Sequence, residues 1–125
     1  PAAGLFDLRD AHNGSRLDFW AVASGYYGYD VDYIGSATSV TLLNQWSHVA
    51  ICRVGSTVSV YHNGVVQWTT THTNAYPAGN IKIGYGGSTG MTGYIDEVRV
   101  SNFARYTANF TAPVLEFGGQ GRQGI

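Results

Sequence analysis

The stretch from Asn44 to Gly64, NQWSHVAICRVGSTVSVYHNG, constrains the fold more than any other. Read at period two, Trp46, His48, Ala50 and Cys52 point one way, and Ser47, Val49, Ile51 and Arg53 point the other. Apolar residues on both faces predict a strand lying centrally in a sheet. Gly55 and Ser56 turn the chain, and Val58, Val60 and His62 then alternate with Ser59 and Tyr61 in a second strand. Asn63-Gly64 supplies the two positive φ angles of a two-residue type I′ hairpin, so Val65 to Trp68 should fold straight back. One segment thus predicts a three-stranded antiparallel meander.

The flanking chain reads as further short strands. Leu5, Phe6 and Leu8 pair with Arg16 to Val22 as a hairpin, with Asn13-Gly14 in the turn. Next comes SGYYGYD, Ser24 to Asp30, in which glycines bend the backbone and Tyr26, Tyr27 and Tyr29 supply large amphipathic rings. Tyrosine orders at low entropic cost, so this reads as a contact loop. Val40 to Leu43 is a strand, and His72 lies in a polar run after Trp68. Ile81 to Tyr85 is another strand, and Gly86 to Gly90 a flexible connector without the Gly-Lys-Ser/Thr of a phosphate loop. In Met91 to Ser101 the alternation slips: burying Ile95, Val98 and Val100 together requires a bulge around Asp96-Glu97. Asn102 to Tyr106 can form one helical turn.

Several of these residues recur as motifs in one order. Trp46, then His48-Val49-Ala50, Arg53-x-Gly55 and Tyr61-x-Asn63-Gly64 are followed by Ile81-Lys-Ile-Gly84 and by Gly93-Tyr-Ile-Asp-Glu-Val-Arg-Val-Ser101. Together they resemble the laminin-G-like, concanavalin A-like jelly roll, over roughly Leu5 to Pro113. Ala104-Arg105-Tyr106 and Phe110-Thr-Ala-Pro113 resemble the exit segment of the version common in bacteriophage tail and virion proteins. The resemblance implies an all-β, antiparallel β-sandwich over residues 1–117, with residues 118–125 as a Gly-rich tail. Because the family has two or three strands ahead of the first one read here, it also implies a sandwich lacking some N-terminal strands. Open sheet edges would then be covered by the tail or by another chain, making a homo-oligomer or other virion subunits the expected partners.

Charge narrows the function. Lys and Arg total 7 against 8 acids, for a net charge of −1, which gives no electrostatic drive toward nucleic acid. Charged residues make up 12% of the chain, against about a quarter in an ordinary domain, so the surface rests on Ser, Thr, Asn, Gly and Tyr. Cys52 is the one cysteine and forms no intramolecular disulfide. No apolar run approaches the ~20 residues of a membrane-spanning helix, so membrane insertion is not expected.

Chemistry follows from which side chains converge. A glycoside hydrolase needs two carboxylates across one bond, and the close acid pairs, Asp30/Asp32 and Asp96/Glu97, do not match that pattern. No catalytic residue is assigned. The histidines, His12, His48, His62 and His72, lack zinc-ligand spacing. Relatives of this fold often bind calcium at a sheet rim, and the resemblance carries that role to Asp96. Sugar recognition would stack aromatic rings on CH faces, with Trp20, Trp68 and Tyr85 as candidates and Tyr26, Tyr27 and Tyr29 rimming the same surface. Trp46 reads as core. The resulting expectation is a non-catalytic binding module of a virion appendage or extracellular surface, contacting surface glycan or a neighbouring subunit. The alternatives are a purely structural domain and, behind it, a glycosidase.

Overall fold

The computed structural model describes residues 3–7, 17–21, 27–31, 34–38, 44–73, 80–86 and 89–114. Every regular element among them is a strand, and the sheets are antiparallel. Among the described residues no helix is long and apolar enough to cross a membrane. The chain divides into two compact units, Pro1–Trp46 with Thr71–Gly93, and Ser47–Thr70 with Tyr94–Ile125.

The first unit holds β1 (Ala3–Asp7), β2 (Leu17–Ala21), β3 (Tyr27–Val31), β4 (Ile34–Thr38) and β8 (Lys82–Ile83) in one five-stranded sheet, ordered β4-β3-β2-β1-β8. The predicted first hairpin forms, with Ala3 opposite Ala21 and Asp7 opposite Asp18. A register shift between Gly4 and Phe6 adds an irregularity that period-two reading does not show. The tyrosine loop is corrected: residues 27–31 are a strand, paired on both sides with β2 and β4. Gly28 does not break it, because both neighbouring strands supply the ladder. The expected strand at 81–85 is split by Gly84 (φ +72°) into β8 and β9 (Tyr85–Gly86). β9 pairs with β10 (Thr89–Gly90), so strands stand at both ends of the expected connector.

The second unit is built on the meander. β5 (Val49–Val54), β6 (Thr57–His62) and β7 (Val65–Thr71) lie side by side in that order, β7 running one residue beyond the unit. Val49 opposes His62 and Val54 opposes Thr57 across the Gly55 turn (φ +58°). Asn63 and Gly64 take φ of +48° and +83°, as the type I′ turn demands. The central position belongs to β6, not to β5 as the alternation suggested. Val58, Val60 and Tyr61 of β6 are the buried hydrophobic residues among those described.

Three further expectations are corrected. Trp46 is 71% exposed, because Asn44 (φ +57°) turns the chain and the strand begins only at Val49. Residues 91–101 form no ladder; Glu97 takes φ +53° at the anticipated slip, and Val98 and Val100 stay exposed. Residues 102–106 make bends, not a helical turn. His72, in the polar run after Trp68, is buried. Val40 to Leu43, the Asn13-Gly14 turn, Tyr26 and the 118–125 tail lie outside the described residues.

Candidate functional site

The register of the five-stranded sheet lines up residues that are far apart in sequence. Asp7 opposes Asp18, Asp18 opposes Asp30, and Asp30 opposes Gly35; on its other side Asp7 opposes Lys82. Lys82, Asp7, Asp18 and Asp30 therefore form one row across four strands. Two residues along β2, Trp20 lies opposite Gly4 and Gly28, and Gly28 opposite Ala37. Intervening rows carry Ile83, Phe6, Phe19, Tyr29 and Ser36, then Ala21, Tyr27 and Thr38. Alternate rows belong to opposite faces of a pleated sheet. The register thus groups Trp20 with the aspartates and sets it out of step with Tyr27 and Tyr29. Sequence reading had placed all three on one surface.

Like charges directly opposite each other destabilise a sheet by a few tenths to about 1 kcal/mol per pair. A row of three aspartates runs against that rule, and departures of this kind cluster where a chain does something other than fold. Lys82 closes one end of the row, and its Nζ lies 5.8 Å from the ring centroid of Tyr85. Tyr85 is 42% exposed, and Gly84 between them bends the backbone. A row of aspartates closed by a lysine, with an exposed ring next to that lysine, has the ingredients of polyol recognition: acceptors for hydroxyls and a flat face for CH groups. Asp7 gains its place beside Asp18 only through pairing between strands apart in sequence.

Trp68 and Asp96 belong to the other unit. Trp68 sits half-buried in β7. Asp96 is exposed, and its Oδ1 accepts the Glu97 N–H at 2.8 Å, which supports the left-handed backbone at Glu97. Among the described residues no group of three or more His, Cys, Asp and Glu side chains converges to hold a metal ion.

The second unit carries an aromatic cluster of its own. Asn63 grips His48 by both backbone groups: its Oδ1 accepts the His48 N–H, and its N–H donates to the His48 carbonyl, each at 2.8 Å. The exit segment then crosses the hairpin, with the Phe110 N–H donating to the Gly64 carbonyl and the Val66 N–H donating to Asn109 Oδ1, both at 2.9 Å. Tyr106 and Phe110 stack with centroids 3.5 Å apart and planes 6° off parallel. Tyr61 and His48 meet this pair edgewise, at 5.4 and 5.5 Å from Phe110. The Tyr61 hydroxyl reaches the Tyr106 carbonyl at 3.5 Å. Three of the motifs that carried the resemblance thus form one packed cluster: the Tyr61-x-Asn63-Gly64 hairpin, the His48 segment and the exit segment hold each other.

Compared with known protein families, residues 4–109 match the model described as the concanavalin A-like lectin/glucanases superfamily. No curated protein and no solved structure matches the chain.

Proposed function

Because the chain belongs to the concanavalin A-like lectin/glucanases superfamily, we propose that it is a non-catalytic module that binds carbohydrate on its five-stranded sheet. The observation that carries this reading is the row Lys82–Asp7–Asp18–Asp30, with Tyr85 at its Lys82 end and Trp20 flanked by glycine in the next row of the same set. Aspartates accept hydroxyl hydrogen bonds, and aromatic rings stack on the CH faces of sugars. A glycan array probed with the wild-type chain, Asp18→Asn and Trp20→Ala tests it. Binding by the wild type, lost in both variants while circular dichroism is unchanged, supports the reading; no binding to any neutral or acidic glycan ends it.

The same row favours one second reading. Asp7, Asp18 and Asp30 oppose one another in adjacent strands, and a retaining glycosidase uses two neighbouring carboxyl groups as nucleophile and acid. Release of reducing ends by the wild type, abolished in Asp18→Asn, would replace the binding reading with hydrolysis.

The setting we propose is a bacteriophage virion appendage or another extracellular surface, where the module contacts host glycan or a neighbouring subunit as part of a homo-oligomer. Its support is the exit segment with Arg105-Tyr106 and Phe110, similar to that of phage tail and virion proteins, together with a surface poor in charge. Immunogold labelling of purified particles tests the location: label confined to the cell interior overturns it.

A further inference from the structure

We propose that residues 105–112 form an acid-sensitive strap, held across the hairpin at neutral pH and released when His48 takes up a proton. The geometry of the aromatic cluster carries this. The His48 centroid is 6.0 Å from Tyr106 and 5.5 Å from Phe110, with the imidazole at 81° to both rings. An imidazole on the axis of the stack would show two distances differing by the full 3.5 Å ring separation. The near-equality places His48 beside the stack, against the ring edges. Those edges carry the positive side of the aromatic quadrupole, whereas attraction for a cation comes from the faces. An imidazolium here would meet two positive rims.

The hydrogen-bond count points the same way. His48 Nδ1 is buried and has no hydrogen-bond partner. A neutral ring can keep its hydrogen on Nε2 and leave Nδ1 a bare lone pair. Protonation puts a charged N–H at Nδ1 with no acceptor, at the full cost of desolvation. The groups facing His48 are the Tyr106 phenol, the Phe110 ring, and the Asn63 amide on its backbone. Tyr61 faces the stack, and among the described residues no carboxylate is bonded to Nδ1 of the imidazole. Arg105, next to Tyr106, directs its Nε to Ser101 Oγ and lies over Phe103. His62, opposite Val49, is the second histidine of this hairpin.

Burial lowers the pKa of His48 below its ordinary value near 6.5, and it lowers that of His62 in the same direction. A base whose folded-state pKa is lowered takes its proton more readily once released. Its contribution to holding the strap is therefore complete above about pH 6.5 and is lost as pH falls through the lowered folded-state value.

Amide hydrogen exchange reads the strap directly, at Phe110 N–H and Val66 N–H. Between about pH 7.5 and about pH 5, after correction for intrinsic exchange, protection at these two amides should fall roughly three- to tenfold. The Val60 amide in β6 should hold. His48→Gln should remove the pH effect, and His62→Gln should retain most of it. Equal protection at both pH values in the wild type, or an undiminished loss in His48→Gln, overturns the proposal. If His48→Gln does not fold, the wild-type imidazole is titrated by NMR. A midpoint below the free value then supports the strap, and one at or above it overturns the idea.

Discussion

Gly55 and Gly64 both occupy the left-handed region, at φ +58° and +83°, yet they answer to different constraints. A Cβ on Gly55 would meet nothing within 4 Å, whereas one on Gly64 would lie 1.8 Å from the Phe110 carbonyl oxygen. Gly55→Ala should therefore cost only the left-handed penalty of an L-residue, about 1–2 kcal/mol. Gly64→Ala adds displacement of backbone and should cost clearly more, read as a larger drop in urea midpoint at unchanged slope. Equal costs would show that the strap does not run against the turn. Trp46 gives the opposite lesson. Its place in the alternation argued for core, and core truncation costs about 3–5 kcal/mol. At 71% exposure, Trp46→Ala should instead change stability by no more than about 0.5 kcal/mol in the same assay. Period-two reading starts the strand at Trp46 because it cannot see that Asn44 has turned left-handed.

Elements defined by their own turn chemistry were legible; elements defined by their neighbours were not. Asn63-Gly64 encodes its hairpin locally, and β6 and β7 follow from it. Residues 27–31, rich in Gly and Tyr, look like a loop until β2 and β4 are known to flank them. Residues 91–101 err the other way, with strand-like alternation but no ladder and a left-handed Glu97 in the middle. The aspartate row was invisible for the same reason as β3: it exists only across strands. The exit segment shows how a motif becomes an element. Tyr106 and Phe110, four residues apart, stack without a helix because Gly64, Val66 and Tyr61 bind the backbone and Asn109 around them. A double-mutant cycle of Tyr106→Leu and Phe110→Leu should show coupling of about 0.5–1.5 kcal/mol. Independent, additive losses would mean that the two rings are held separately by the hairpin and do not support each other.

At the scale of the whole molecule, the fold class was carried by motif order and the partner by nothing local. β4 and β5 are outer strands of their sheets among the described residues, and outer strands offer unpaired backbone groups to another chain. With a net charge of −1 and 12% charged residues, the surface has neither the repulsion that keeps copies apart nor the Coulomb attraction that would make contacts salt-sensitive. Association between copies should then rest on backbone pairing and apolar burial. Light scattering coupled to size exclusion should give a mass above one chain, unchanged between about 0.1 M and about 1 M salt, where the screening length falls from about 10 to about 3 Å. The melting temperature should rise with protein concentration, as mass action requires of a stabilising self-contact. Dissociation at high salt would place the contact on charges that the sequence hardly possesses. A single-chain mass at every concentration would remove the homo-oligomer and leave the aspartate row and its aromatic neighbours to act from one chain.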